Sequence, residues 1–221
     1  MEILFLVAFV AFFAFAGFSI YKSSAKKKRL TFIDTYAFHS AIKEKVMKKY
    51  PHLSNDEAKF VLEGLRDYFL FCVRAEKRMV SMPSQAVDVA WHEFILFTRS
   101  YESFCKKAFG YFLHHTPTEA MKSPTIANDG IKRAWRLACA KEKIDAQNPT
   151  KLPLLFALDG LLNIPDGFRY SLDCKDQSSP NFGNEYCASH IGCGGGCGGD
   201  SASCGASGCG GSGCGGGCGG D

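Results

Sequence analysis

The chain reads as all-α: an irregular bundle of five or six helices, preceded by a transmembrane helix and followed by a disordered Gly/Cys-rich tail. Three observations predict this. Apolar residues between Thr31 and Leu158 recur at helical spacing. Caps and prolines punctuate those runs. No convincing run alternates apolar and polar residues as a half-buried strand would.

The 221 residues divide by composition into an apolar segment 1–21, a basic linker 22–30, a mixed block 31–176 and a tail 177–221. The mixed block is long enough for one comfortable core. The formal net charge of +4 is uneven, because Lys22, Lys26, Lys27, Lys28 and Arg29 fall within one short run. The rest is near neutral, which argues against nucleic acid as a partner.

Ile3–Tyr21 carries no charge. About 19 helical residues span about 28 Å, close to the ~30 Å hydrocarbon core of a bilayer. Glu2 is the only charge before it, and the five basic residues follow it. The positive-inside rule then places the N-terminus outside and residues 22–221 in the cytoplasm. Lys22, Lys26, Lys27, Lys28 and Arg29 would face anionic headgroups, at about 1 kcal/mol each near the surface. Ala14-Phe15-Ala16 resembles a signal-peptide cleavage site, but the charges lie on the wrong sides of the apolar run. A buried core helix is the weaker alternative, since the segment is apolar on every face. In a cytoplasm the 11 cysteines would be mostly reduced, and an odd count does not suit a complete disulfide framework.

Each helix of the mixed block has its own signal. Thr31–Lys49 repeats Ile33, Ala37, Phe38, Ala41, Ile42 and Val46 at helical spacing and stops at Pro51. Ser54 and Glu57 form a capping box ahead of a helix over about Asp56–Met79. On that helix Arg66 and Asp67 read as a solvated face. Ser84 is the expected N-cap of the next helix, with Val87, Trp91, Phe94, Ile95 and Thr98 on one side. Tyr101–Leu113 and Asn128–Lys143 are further helices, with Trp135 read as packing and Arg136 as surface. Leu152–Leu158 starts a last one, with Pro153 near its first turn. Ile164–Leu172 reads as an extended arm.

Chemistry concentrates in Pro83–Leu96 and Phe109–Pro117. Asp88 and His92 share a helix face at a spacing of four, beside Trp91. Asp88 can fix which imidazole nitrogen points onward, and His114 or His115 can reach it. Asp88, His92 and His115 would suit zinc or another borderline divalent metal. The same group could act as a carboxylate-oriented base, or hold the fold as a buried histidine. His92-Glu93 is not followed by a second histidine at zinc-protease spacing, and no G-x-S-x-G elbow occurs.

The strings P-S-x-x-V-D-x-x-W-H-x-F-I-L-F-T from Pro83, Y-x-x-F-C from Tyr101, F-G-x-F-L-H-H from Phe109, L-P-L-L-F-A-L-D from Leu152 and I-P-D-G-F-R-Y from Ile164 occur in that order. Together they resemble the glycine-rich domain-containing protein-like family. The resemblance implies that Asp88, Trp91, His92 and His115 are the positions to watch, and assigns them no reaction.

The tail carries Cys187, Cys193, Cys197, Cys204, Cys209, Cys214 and Cys218, and repeats CGGGCGGD. With almost no aliphatic content it cannot build a core. Its thiolates can wrap a soft metal, with His190 joining them, although the spacing is not that of a zinc finger. A plain spacer is the competing reading. The functional expectation is a membrane-anchored binding or scaffolding module, with the lipid bilayer and an unidentified protein as partners. The alternative is metal binding or metal-dependent catalysis at the Asp88 cluster, or thiolate metal binding by the tail.

Overall fold

The computed structural model describes residues 2–115, 124–172, 186–188 and 191. Among them are seven helices: α1 Glu2–Asp34, α2 Ser40–Lys49, α3 Asn55–Arg74, α4 Gln85–Leu96, α5 Thr98–Ala108, α6 Pro124–Glu142 and α7 Leu154–Leu161. The extended arm ends in a two-residue strand, β1 Tyr170–Ser171, paired in parallel with β2 Tyr186–Cys187. The all-α expectation holds.

Helix α3 is the hub, packed against α1, α2, α4, α6 and α7. Its start follows the sequence closely. Ser54 Oγ accepts from Glu57 N at 3.3 Å, and Glu57 Oε2 accepts from Ser54 N at 2.7 Å. It stops at Arg74 rather than Met79, because Glu76 and Lys77 take positive φ and turn the chain. Phe69, fully buried on α3, has the rings of Phe104 at 4.9 Å and Trp91 at 6.0 Å around it. Gly64 permits the close crossing, since a Cβ there would meet Val87 Cγ2 at 2.8 Å and Leu158 Cδ1 at 3.0 Å. The packing reaches Ala188, which is buried, and Ile191.

Several expectations need correction. Among the described residues no helix is long and apolar enough to cross a membrane, so the transmembrane helix over 1–21 is not found. Part of that segment lies outside the described residues, because Met1 and the side chains of Glu2, Ile3, Leu4, Leu6 and Ala8 are not described. Nor does a linker begin at residue 22, since α1 continues as helix through Lys22–Arg29 to Asp34. Lys26 is drawn to the domain, donating to Glu76 Oε1 at 2.8 Å.

The helix expected over Thr31–Lys49 is two helices. Arg66 Nη1 donates to the carbonyls of Ile33 at 2.8 Å and Asp34 at 2.6 Å, satisfying the end of α1. His39 then caps α2, its Nδ1 accepting from Ala41 N at 3.1 Å. Arg66 is therefore a helix cap, not a solvated face. Thr98, expected on the apolar side, is exposed at the start of α5, and that helix ends at Ala108 rather than Leu113. Pro153, expected near the first turn of the last helix, is the N-cap of α7. Trp135 is fully buried and donates from Nε1 to Ala146 O at 2.9 Å, and Arg136 is exposed.

Asp67 is also not solvated. It is 4% exposed and accepts from Lys141 Nζ at 2.5 Å. Burial raises its pKa above 3.8, outweighing the Lys141 ammonium that lowers it. A raised carboxyl pKa favours the fold while the group is protonated. That contribution is complete below pH 3.8 and is lost as pH rises through the folded value. Asp67→Asn is accordingly expected to raise the urea midpoint at pH 7, and to match the wild type near pH 3. A midpoint lowered at pH 7 would show that the ion pair outweighs desolvation.

Candidate metal centre

Helix α4 is placed by its N-terminus. Ser84 caps it, its Oγ accepting from Val87 N at 3.2 Å. Behind Ser84 stands Asp159 of α7, 1% exposed. Its carboxylate accepts from Ser84 Oγ at 2.6 Å, Gln85 N at 2.7 Å, Ala86 N at 3.2 Å and Phe168 N at 2.9 Å. A buried negative charge therefore sits on the positive end of α4 and ties it to α7 and the arm. Sequence reasoning quoted Asp159 only inside a motif. The available signal was an acid within the otherwise apolar run LLFALDGL.

One face of α4 is buried and the other carries polar groups. Ala86, Val87, Ala90, Trp91 and Phe94 point inward. Asp88 and His92, one turn apart, stand at the surface with side chains 19% and 50% exposed. His115 lies beyond α5, and a relay holds its segment. Trp91 Nε1 donates to Tyr101 Oη at 3.0 Å, and Tyr101 Oη donates to Leu113 O at 2.5 Å. Burial raises the Tyr101 pKa, so this hydroxyl stays a neutral donor. Two residues on, His115 packs edge-on against Trp91 with ring centroids 4.6 Å apart.

The three polar side chains converge. His115 Nε2 lies 2.9 Å from Asp88 Oδ1, His92 Nδ1 lies 3.4 Å from Asp88 Oδ2, and His92 Nε2 lies 3.3 Å from His115 Nδ1. One ligand atom from each residue falls within 4.8 Å of the other two. The expected cluster of Asp88, His92 and His115 is thus brought together, with Trp91 as its wall. His114 is not part of it. Its exposed ring turns to Phe112, with centroids 4.8 Å apart.

The three cysteines whose side chains are described offer no ligand. Cys72, Cys105 and Cys139 are buried. Desolvation pushes the Cys72 thiol up to about 12 and the Cys139 thiol up to about 11, and raises that of Cys105. The tail candidates Cys193, Cys197, Cys204, Cys209, Cys214 and Cys218 lie outside the described residues.

A family model described as UCP032817-like matches residues 28–191. No curated protein and no solved structure matches the chain. The match overturns the resemblance to glycine-rich domain-containing proteins, since no such family is found. The motif strings, all between Pro83 and Tyr170, lie inside the matched segment and belong with it.

Proposed function

The chain belongs to the UCP032817-like family, and from that premise we propose that its helical domain is a binding module holding one divalent cation of the zinc class. The observation that carries this is the convergence of Asp88, His92 and His115 ligand atoms within 4.8 Å. Zinc with bonds of about 2.0–2.1 Å sets tetrahedral ligands about 3.4 Å apart, and one ligand atom from each of the three residues lies within 4.8 Å of the other two, so a modest approach of the side chains would close on such an ion. One carboxylate and two imidazoles suit a borderline cation. The half-exposed His92 leaves the fourth position open toward solvent.

We further place the module at a bilayer, on the cytoplasmic side, through the first half of α1. In support, Phe5, Val7, Phe9, Phe12, Phe13, Phe15, Phe18 and Ile20 are each more than half exposed among the described residues. Soluble surfaces rarely expose such a patch. Lys22, Lys27 and Lys28 follow on exposed positions.

The full chain, extracted from carbonate-washed membranes and dialysed, is expected to retain one zinc by elemental analysis. His92→Ala and His115→Ala should each lose it, while His114→Ala should keep it. Equal retention in all four proteins would refute the site, and absence of the chain from the washed membranes would refute the bilayer placement.

A further inference from the structure

Between the end of α1 and one face of α5 lies a solvent-open cavity of about 310 Å³. It shares no residue with the Asp88 cluster. Its size is at the lower end of the range for small-molecule sites. We infer that it binds a small aryl anion, with a flat aromatic body on the cavity floor and a carboxylate or phosphate at its Arg99 end.

The floor selects the body of the ligand. Phe32, Tyr36 and Phe104 line the cavity together. Their ring centroids are mutually close, with Phe32 5.7 Å and Tyr36 4.7 Å from Phe104, and Phe32 5.6 Å from Tyr36. Phe104 is buried beneath, while Phe32 and Tyr36 keep part of their surface free. Three rings at this spacing offer both faces and edges to a fourth, which gains contact beyond its area alone.

The rim selects the charge. Arg99 and Lys107 line the cavity and no Asp or Glu does. They are eight residues apart on α5, about 12 Å of rise, so a cation stands toward each end. Lys107 is already engaged, its Nζ 5.9 Å from the centre of the Phe32 ring, and it lies in the last turn of α5, where a cation complements the helix dipole. Arg99 has no ion pair with the described residues, and its fork of donors matches a carboxylate or phosphate. It also stands at the start of α5, a helix that no side chain caps. The helix dipole therefore adds to the Arg99 charge rather than opposing it. Ser100 and Ser103, both exposed on the same wall, add hydroxyl donors beside the anion.

Equilibrium dialysis of the full chain in uncharged detergent micelles, against empty micelles, tests this with 2-naphthoate, 2-naphthyl phosphate and the neutral 2-naphthamide. The wild type is expected to bind the two anions at sub-millimolar concentration, the tighter of them naming the acid group, and to hold the amide at least about tenfold more weakly. Arg99→Gln should weaken the anions about 10–100-fold, as loss of a charge-assisted pair does, and bring them level with the amide. Ser103→Phe, at an exposed position that leaves the core intact, should abolish binding of all three by filling the cavity. His92→Ala should bind them as the wild type does. Decanoate held as tightly as naphthoate would overturn the aryl assignment. Anion binding unchanged in Arg99→Gln and Ser103→Phe would place the probes elsewhere and overturn the site. Binding lost in His92→Ala would assign the anions to the metal cluster, and no binding by the wild type would leave the cavity without this function; either result overturns the inference.

Discussion

Replacing Asp159 by alanine is expected to lower stability by about 3–5 kcal/mol. The carboxylate is 1% exposed and accepts four hydrogen bonds, three of them from the start of α4. Its removal leaves buried donors without partners, each worth about 1–3 kcal/mol though not additively. The same change strips the counter-charge from the α4 N-terminus. Phe168 N loses its acceptor too, so the arm is released together with the helix. Asp159→Asn retains one carbonyl acceptor and should fall between alanine and the wild type in urea denaturation. A loss below about 1 kcal/mol for alanine would show that water replaces the carboxylate. Because Asp88 lies in the first turn of α4, metal retention should fall in parallel with stability.

Trp91→Ala is expected to be comparably severe, at about 3–5 kcal/mol. Trp91 is 3% exposed and packs against Tyr68 at 5.0 Å, Phe69 at 6.0 Å and His115 at 4.6 Å between ring centroids. Truncation opens a cavity beside the cluster and removes the wall that orients His115. Tyr101→Phe separates the two roles. It keeps the ring packing but leaves Trp91 Nε1 and Leu113 O unpartnered. That change should cost about 1–3 kcal/mol and weaken metal binding about 10–100-fold, as loss of an orienting contact does. Zinc at about a hundred times its dissociation constant stabilises a competent site by about 2.7 kcal/mol. The wild type should show that rise in thermal unfolding, Tyr101→Phe a reduced one, and Trp91→Ala none. An equal rise in all three would mean that zinc binds elsewhere.

What the sequence conveyed about this fold was local. The Ser54–Glu57 box and the Ser84 cap are read within four residues, and both are present. Asp88 and His92 were legible for the same reason, being one turn apart on one helix. What failed was long-range. Arg66 and Asp67 look like any solvated pair until Ile33 O and Lys141 arrive from distant elements. No glycine or proline marks the break after Asp34; the apolar period continues across it, and Arg66 makes the break from outside. Asp159 finds three of its four partners more than seventy positions away, so only its incongruity within an apolar helix could have exposed it. The choice between His114 and His115 likewise needed the Tyr101 relay, which fixes the backbone at Leu113 and so decides which ring turns inward.

The continuity of α1 sets a rotational phase. Its C-terminal end is clamped by Arg66 and by the fully buried Ile33, while its first half stands clear of the bundle. An α-helix turns about 100° per residue. The azimuth of the metal cluster, relative to whatever the N-terminal half engages, is therefore written in the number of residues between them. One alanine inserted among residues 22–25 would swing the cluster through about a quarter turn while leaving every contact within the bundle intact, and about seven inserted residues, roughly two turns, would nearly restore its heading at a greater distance.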